Sequence, residues 1–233
     1  MATRTIIILT LNEVDGVRWL LDEGPDLFEM AEEVVSVDGG STDGTRELLE
    51  SANIRVIDQE INGRGEAFRV AVNATRGDHL VFFSPDGNED PGDIPGLFEL
   101  LEKGANIAIA SRFLAGSRNE EDDLRFPFRK WANQAFSLTA NLFWNKGPYV
   151  SDTINGFRGI TRSAFLGLAP TSIGYSIEYE ITIRAMKMGL ILSEMPTREG
   201  NRVGGVSKAP SILTGIRFTR FLIKEVFRGR SDG

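Results

Sequence analysis

The sequence comprises 233 residues, of which 41% are hydrophobic, enough for one large domain with a substantial core. It has no cysteine, which excludes a disulfide framework, a thiolate metal site and a cysteine nucleophile, and its single histidine, His79, argues against Ser-His-Asp catalysis and multi-histidine zinc sites. The formal net charge of −7 argues against a general nucleic-acid binder, and no apolar run is long enough to span a bilayer.

Strands and helices alternate along the first half of the chain. Short apolar runs rich in β-branched residues predict buried strands at residues 5–10, 34–38, 54–57, 80–83 and 105–110. Helices are predicted between them at residues 13–21, 45–51, 64–74 and 91–103, and Asn12 is expected to cap the first. This alternation predicts an α/β fold with a doubly wound, mostly parallel sheet.

Polar residues follow four of these predicted strands. They occupy positions 10–13, 38–43, 84–88 and 112. The carboxyl ends of parallel strands share one rim, where open α/β sheets bind their ligands. We therefore expect these four groups to form a single site.

The strand at residues 80–83 is followed by the densest group of oxygen atoms. Pro85 ends the strand, and Asp86, Gly87, Asn88 and two more acids come directly after it. Such oxygen ligands suit Mg²⁺ or Mn²⁺, with a phosphate group completing the coordination. The alternative is an acidic turn that only ends the strand.

The second half of the chain is less regular. It predicts helices at 126–144 and 176–188, a turn at 152–158 leading into a short strand, and an edge strand at 191–195. A basic glycine-rich loop at 202–208 precedes a predicted terminal helix at 211–228. On a helical wheel, this helix places Arg217, Arg220, Lys224 and Arg228 on one stripe beside an apolar surface. Two interpretations stay open, a helix docked on the core and an interfacial helix lying on an anionic membrane.

Short motifs occur in a characteristic order along nearly the whole chain. Residues 9–13 are Leu-Thr-Leu-Asn-Glu, 38–45 are Asp-Gly-Gly-Ser-Thr-Asp-Gly-Thr, 63–65 are Gly-Arg-Gly, 156–158 are Gly-Phe-Arg and 202–208 are Arg-Val-Gly-Gly-Val-Ser-Lys. Together they resemble the inverting GT-A glycosyltransferases of the family-two type, specifically the polyprenyl-phosphate (dolichol-phosphate) sugar synthases. Two positions depart from that pattern. Ser84-Pro85-Asp86 stands where the family has Asp-X-Asp, and Gly39 replaces the second acid of an Asp-Asp pair.

The resemblance implies a GT-A, Rossmann-like enzyme that moves a sugar from a GDP- or UDP-sugar to a polyprenyl or dolichyl phosphate, with Mg²⁺ or Mn²⁺ as cofactor. Residues 1–210 would form the catalytic domain, with a nucleotide-sugar-binding half at 1–112 and an acceptor half at 113–210. Residues 211–233 would form a basic amphipathic appendage. The protein would be cytoplasmic and peripheral on the inner face of an anionic membrane, without nucleic acid; a small membrane-protein partner or a homo-oligomer stays open.

The resemblance also assigns roles to residues. Asp86, Arg112, Arg129 and Asp152 would form the catalytic group, and Asp86 with Asn88 would hold the metal ion. The residues expected to bind the donor are Leu9, Thr10, Asn12, Glu13, Asp38, Gly40, Ser41, Asp43, Arg64, Ser84, Pro85, Asp86, Arg202 and Lys208.

Within these sets, the arginines are expected to hold phosphates. Arg112 and Arg129 would grip the acceptor phosphate, with Arg125 and Lys130 as alternatives. Arg202 and Lys208 would close over the departing diphosphate as a lid. Asp38 would face the base and ribose, and its alternative role is to cap the turn that follows it.

Two other functions are compatible with the sequence. A GT-A transferase acting on a soluble glycan or protein would need a carboxylate base to deprotonate a hydroxyl group, for which Asp152 and Glu178 are candidates. The changed Asp-X-Asp motif is also compatible with a nucleotide-sugar-binding protein that has no catalytic activity.

Overall fold

The fold is described here from a computed structural model, which covers residues 2–203 together with Thr219 and Leu222. The remainder of the predicted loop and terminal helix, including Lys208 and the four-cation stripe, lies outside the described residues. The strands are β1 (Arg4–Thr10), β2 (Glu33–Asp38), β3 (Arg55–Asp58), β4 (His79–Phe83), β5 (Ile107–Ser111), β6 (Arg158–Thr161) and β7 (Leu192–Pro196). The α-helices are α1 (Val14–Glu23), α2 (Thr45–Ser51), α3 (Arg64–Ala74), α4 (Ile94–Glu102), α5 (Phe128–Trp144), α6 (Arg162–Leu168) and α7 (Ile177–Met188).

One sheet joins these strands in the order β3-β2-β1-β4-β6-β5-β7. All neighbouring pairs are parallel except those of β6, which runs antiparallel to both β4 and β5. The doubly wound, mostly parallel α/β sheet predicted from the sequence is therefore confirmed. The antiparallel strand and helix α6 are features that the sequence did not predict. The division into halves at residue 112 stays a prediction.

Both faces of the sheet are buried, which explains why its central strands are apolar throughout. Ile6 and Ile8 pack with α1, α2 and α4 on one face, while Ile7 and Leu9 pack with α3, α5, α6 and α7 on the other. Successive side chains of a strand point to opposite faces. A strand covered by helices on both sides consequently has no solvent-facing positions to be filled by polar residues.

Backbone hydrogen bonds continue the sheet beyond the ends of its strands. The backbone N of Gly39 donates to Thr10 O (2.9 Å), and the backbone N of Gln59 donates to Asp38 O (3.0 Å). On the other side, the backbone N of Thr197 donates to Ser111 O (3.0 Å), and that of Val203 donates to Asp86 O (2.9 Å). These bonds align the residues that follow the strands along one rim.

Within the part of the chain that the structure describes, no helix has both the length and the apolar character to cross a bilayer.

Candidate active site

Two adjoining clefts open on the carboxyl rim of the sheet, with volumes of about 700 Å³ and 280 Å³. Both clefts are lined by Arg64, Ser84, Asp86, Tyr175 and Arg202. The larger extends over the ends of β1, β2 and β3, and the smaller extends toward α5. The expected single site is therefore a pair of compartments that meet at the residues after β4.

The larger cleft is lined on one side by residues at strand ends. Its other lining segment, residues 173–176, was not predicted from the sequence. Leu9, Thr10, Glu13, Arg64, Ser84, Asp86 and Arg202 are the expected donor-binding residues that line the cleft. The segment 173–176 forms part of its lining although no strand end precedes it. This segment is held against α3, because the backbone N of Gly65 donates to Ile173 O (2.7 Å). A Cβ atom on Gly65 would lie 2.0 Å from Ser172 O, so only glycine permits this approach.

Arg64 lies where the two compartments meet. Its guanidinium forms an ion pair with Glu178 and donates to Ser84 Oγ (3.3 Å). A Cβ atom on Gly156 would lie 1.9 Å from Arg64 Nη2, so the glycine of the Gly-Phe-Arg motif leaves room for this guanidinium. The Gly-Arg-Gly and Gly-Phe-Arg motifs therefore meet at this junction. Gly65 and Gly156 are 91 positions apart in the sequence.

Arg158, the arginine of the Gly-Phe-Arg motif, has a different environment and lines neither cleft. It is fully buried and donates from Nε to Asn155 O (2.7 Å) and from Nη1 to Thr182 Oγ1 (3.1 Å). Burial lowers the pKa of Arg158 to about 10. Its contacts tie the turn before β6 to α7, which is a structural role.

Asp86 forms an ion pair with Arg202 in this structure. Its Oδ2 lies 2.8 Å from Arg202 Nη1, and its Oδ1 accepts a hydrogen bond from the backbone N of Asn88 (3.1 Å). The segment that carries Arg202 is bonded to the loop after β4, since the backbone N of Gly200 donates to Asn88 O (2.9 Å). The arginine predicted to close over the donor therefore contacts the carboxylate predicted to bind the metal ion.

The donor atoms around Asp86 fit a metal site that a substrate completes. No cluster of three or more His, Cys, Asp or Glu side chains suited to a metal ion occurs among the described residues. Mg²⁺ keeps several waters and is commonly held by one or two carboxylates together with substrate phosphates. Asp86 offers one such carboxylate, and its contact with Arg202 shows that a positive charge is accommodated beside Oδ2.

The smaller cleft contains Arg112 in a buried ion pair. Arg112 Nε and Nη2 lie 2.7 Å and 3.0 Å from the two carboxylate oxygens of Asp152, and Arg112 Nη1 lies 3.4 Å from Glu199 Oε1. Burial alone would raise the pKa of Asp152, but the contact with Arg112 dominates and holds it below its usual value. Asp152 is fully buried and accepts a bidentate pair, so it positions Arg112 and makes a poor general base.

Arg129 and its acidic partners also line this cleft. Arg129 makes an ion pair with Glu120, and its Nε lies 2.8 Å from Glu121 Oε1. Glu89 also lines the cleft, and burial raises its pKa to about 8 although the charge of Arg64 opposes this. Both arginines expected to grip an acceptor phosphate therefore lie in one compartment, and each is paired with carboxylates.

Helix α5 borders the smaller cleft and exposes several large apolar side chains. The side facing the core carries the buried residues Ser137 and Ala140, with the partly buried Phe136 and Trp144 packed against the core. The outer stripe includes Phe128, Trp131, Leu138, Leu142 and Phe143, and Leu142 is 76% exposed. The helix contains no Asp or Glu. An ordinary surface helix turns a polar side to water, whereas α5 also presents this apolar stripe to it.

Several residues expected to contact the donor make hydrogen bonds within the loops that follow the strands. Asp38 is buried and accepts hydrogen bonds from the backbone N atoms of Gly40 (3.0 Å) and Ser41 (2.8 Å), which is the turn-capping alternative. Asn12 Oδ1 accepts from the backbone N of Thr42 (2.8 Å), so it ties two loops together. Helix α1 begins without the expected Asn12 cap, and the residue at its N-cap is Glu13.

Asp43 and Pro85 also lie beside the clefts without lining them. Asp43 Oδ2 accepts from the backbone N of Val14 (3.1 Å) and so satisfies the first turn of α1. Pro85 is buried, and its carbonyl oxygen would lie 2.0 Å from a Cβ atom on Gly16. Asn88 lines the smaller cleft, and Lys208 lies outside the described residues.

Several polar residues that line the clefts were not predicted from the sequence, among them Gln59, Asn62, Tyr175 and Glu199. Gln59 directly follows β3, so the same strand-end rule that pointed to Asp86 would have pointed to it. Glu199 comes three residues after β7 and shares that signal. No local pattern marks Tyr175, since it reaches the site through the packing of its segment against α3.

The pair between Arg112 and Asp152 gives a prediction about stability. Replacing Arg112 with alanine leaves the fully buried Asp152 without its bidentate partner, and removing one member of a buried pair typically costs about 3–5 kcal/mol. We expect a comparable loss in the free energy of unfolding, measured by chemical denaturation. The double variant Arg112→Ala/Asp152→Asn should recover a large part of that loss. Equal stability of the single variant and the parent would contradict this account.

The sequence pattern that defines "Glycosyl transferase family 2" matches residues 5–166, which is more than half of the chain. The chain belongs to glycosyl transferase family 2. The matched residues include β2 and β4, all of β1 except Arg4, and most of the residues that line the two clefts. The family expected from the short motifs is thereby confirmed.

Named relatives of this family 2 chain include three proteins of similar identity. It is 29% identical to the glycosyltransferase AglJ of Haloferax volcanii over 224 residues, which cover 96% of this chain and 70% of AglJ. It is 28% identical to a dolichol-phosphate mannosyltransferase of Pyrococcus furiosus, over 88% of this chain and 58% of that protein. It is also 28% identical to a polyprenol monophosphomannose synthase of Mycolicibacterium smegmatis, over 98% of this chain and 89% of that protein.

Solved structures support the GT-A fold. Glucosyl-3-phosphoglycerate synthase of Mycobacterium tuberculosis, in complex with Mn²⁺, UDP and glucosyl-3-phosphoglycerate, has a TM-score of 0.67 to this family 2 chain. The match covers 97% of this chain and 79% of that one at 22% identity. The same enzyme with phosphoglyceric acid has a TM-score of 0.65.

Proposed function

We propose that the chain transfers a sugar from a nucleoside-diphosphate sugar to the phosphate of a polyprenyl or dolichyl lipid at a membrane surface, with inversion at the sugar. The observation that carries the proposal is the position of Arg112 and Arg129 in a compartment lined in part by α5, the helix whose outer side carries the exposed apolar stripe. Cations inside the cleft suit a phosphate, and an apolar helix beside it suits the lipid to which that phosphate is attached.

The larger cleft suits the donor. Its volume of about 700 Å³ lies in the range typical of small-molecule sites, and it adjoins the acceptor compartment at Asp86 and Arg202. Arg202 is bonded to the loop that carries Asp86, so it can pass from the carboxylate to a diphosphate over a short distance. There it would stabilise the negative charge that develops on the departing nucleoside diphosphate.

The proposal includes a divalent ion, Mg²⁺ or Mn²⁺, held by Asp86 with Asn88 as a neighbouring oxygen ligand. Such an ion would neutralise the diphosphate of the donor. Because Ser84 provides a neutral oxygen where an acid would add a second charge, we expect modest affinity for the free ion and tighter binding in the presence of the nucleotide. The relatives' names, which include two mannosyltransferases acting on lipid phosphates, are consistent with this assignment.

A lipid phosphate as acceptor would make a general base unnecessary. The acceptor already carries an oxyanion, so no proton has to be removed before it attacks. Both carboxylates considered as a base are paired with arginine, Asp152 with Arg112 and Glu178 with Arg64. Attack from the acceptor compartment, on the side of the sugar opposite the diphosphate, would invert the anomeric centre.

A soluble acceptor is the second candidate. It is favoured by the likeness in fold to glucosyl-3-phosphoglycerate synthase, which was crystallised with the small acids phosphoglyceric acid and glucosyl-3-phosphoglycerate. Arg112 and Arg129 could bind the phosphate of such a compound as well. The exposed stripe of α5 would then have no role in acceptor binding.

Acceptor assays separate the two candidates. Transfer of radiolabel from UDP-glucose and GDP-mannose should be measured with a polyprenyl phosphate, with the same polyprenol lacking its phosphate, and with 3-phosphoglycerate. We expect transfer to the lipid phosphate alone. Transfer to 3-phosphoglycerate with none to the lipid would replace the proposal by the second candidate.

Arg129→Ala tests the division of the site. We expect the KM for lipid phosphate to rise by at least about tenfold, because a hydrogen-bonded charge pair is lost, while the Kd for the nucleotide changes little. Arg125→Ala is the matched control, since Arg125, an alternative phosphate-binding residue in the sequence analysis, is exposed and lines neither cleft, whereas Lys130, the other alternative, lines the smaller one. Weaker nucleotide binding with an unchanged acceptor KM in Arg129→Ala would assign Arg129 to the donor.

A further inference from the structure

The base end of the larger cleft contains an amide group that no motif singled out. We propose that Gln59 selects the nucleobase of the donor by accepting a hydrogen bond from a ring N–H group, which favours uracil or guanine over cytosine or adenine. The inference rests on the proposed nucleotide-sugar donor and adds a residue that determines which base is bound.

The orientation of the Gln59 amide is fixed by its own loop. The backbone N of Gln59 donates to Asp38 O (3.0 Å), which anchors the residue directly after β3. Its Nε2 donates to Ile61 O (2.7 Å) and Gly63 O (2.7 Å). A flipped amide would set Oε1 against these two carbonyl oxygens, so the chemistry settles which atom is the nitrogen. Both side-chain N–H groups are therefore used, and Oε1 remains as an acceptor.

Gln59 Oε1 lies beside Gly39. Oε1 lies 3.6 Å from the point where a Cβ atom on Gly39 would be, and Leu11 Cδ1 lies 3.5 Å from the same point. Any side chain at residue 39 would therefore project into the space between Leu11 and Oε1. No described residue donates a hydrogen bond to Oε1. Gln59 therefore offers an oriented acceptor in the lining of the cleft, beside the glycine that replaces the second acid of the family's Asp-Asp pair.

Gln59 lies at the right place along the cleft to meet a base. The cleft extends from Asp86 after β4, past the ends of β1 and β2, to Gln59 after β3. Neighbouring strands are separated by about 4.8 Å, so three spacings place Gln59 about 14 Å from Asp86. An extended nucleoside diphosphate whose phosphates lie at Asp86 brings the far edge of its base to this end. Leu11 and Ile173, both partly exposed, supply apolar contacts for the face of the base.

The hydrogen-bonding pattern of the bases explains the selection. Uracil N3 and guanine N1 each carry a hydrogen that Oε1 can accept. The corresponding ring atoms of cytosine, N3, and adenine, N1, are themselves acceptors and would face Oε1 with a lone pair. A site built to hydrogen-bond a group discriminates strongly against an analogue that leaves the site's polar atom unpaired.

Calorimetric titrations test this assignment with two pairs of nucleotides of matched size, UDP with CDP and GDP with ADP, at constant free Mn²⁺. In the parent protein, we expect the member with the ring N–H to bind at least about tenfold more tightly in one of the pairs. In Gln59→Leu, that ratio should fall below about threefold. Gln134→Leu is the matched control, because Gln134 lies on the exposed side of α5 and lines neither cleft, and it should keep the parent's ratio.

The titrations distinguish failure of the Gln59 assignment from failure of the proposed donor. An unchanged ratio in Gln59→Leu, or a preference of the parent for CDP or ADP, would show that Gln59 does not select the base. Equal weakening of all four nucleotides would mean that Gln59 only holds the loop at Ile61 and Gly63. If the parent binds none of the four, the proposed donor itself is wrong and the assignment of Gln59 falls with it.

Discussion

Replacing Asp86 with alanine should lower sugar transfer by two to three orders of magnitude, because it removes the one charged oxygen ligand proposed for the metal ion. The same change releases Arg202 from its 2.8 Å contact with Oδ2. The freed guanidinium can then bind the diphosphate directly. We therefore expect nucleotide binding without metal to be kept or strengthened, whereas the gain in affinity on adding Mn²⁺ should disappear.

The measurement is the Kd for UDP or GDP, whichever the parent binds, with and without Mn²⁺, together with the rate of transfer. Asp90→Ala provides a control in the same loop, because Asp90 lines neither cleft and accepts a hydrogen bond from the backbone N of Gly92 (2.8 Å). Loss of that cap should cost about 1 kcal/mol of stability with the metal effect intact. An Asp86→Ala protein that still binds the nucleotide more tightly with Mn²⁺ would rule out Asp86 as the metal ligand.

The strands that carry this site, and the polar residues at their carboxyl ends, can be predicted from local sequence patterns. Apolar, β-branched runs define the buried strands, and the polar residues after β1, β2, β4 and β5 come together because parallel strands end on one rim. The residues Asp86 and Arg112 were found in this way from strand ends alone. Their positions require nothing beyond the alternation of strands and helices.

What the sequence did not predict depends on contacts between distant segments. The direction of β6 is set by its partners β4 and β5, and a strand of four residues carries no mark of its direction. Asp38 was expected to face the base and ribose, with capping of the following turn as the alternative, and only the folded loop shows its bonds to the backbone N atoms of Gly40 and Ser41. The contact of Arg202 with Asp86 joins residues 116 positions apart in numbering, which no local pattern records.

The exposed stripe of α5 leads to the second large effect that we expect. Leu138 and Leu142 lie one turn apart on this stripe, and both are more than half exposed. If the stripe enters the membrane interface, replacing both with glutamine removes apolar area from the lipid boundary. At about 1 kcal/mol for each partly inserted leucine, partitioning onto vesicles should fall by roughly thirtyfold. The apparent KM for lipid phosphate should rise in parallel, while the Kd for the nucleotide stays unchanged.

The control variant carries the same kind of change on the other face of the sheet. Leu21 and Phe28 are exposed apolar residues at α1 and the short helix after it, and α1 packs on the face of the sheet opposite α5. Leu21→Gln/Phe28→Gln should sediment with vesicles as the parent does. Equal sedimentation of the α5 variant and the parent would mean that this stripe does not touch the membrane.

The salt dependence of vesicle binding distinguishes the contact made by the α5 stripe from the contact predicted for the four cations of the terminal segment. Attraction between an anionic surface and the cations at 217, 220, 224 and 228, which lie outside the described residues, should weaken as ionic strength rises. The insertion of apolar side chains does not depend on that attraction, and excluded salts strengthen it. The defect of Leu138→Gln/Leu142→Gln should therefore persist at high salt and on vesicles of neutral lipid, where a variant lacking the four cations should match the parent. A defect that vanished at high salt would show that charge, and not α5, holds the protein at the membrane.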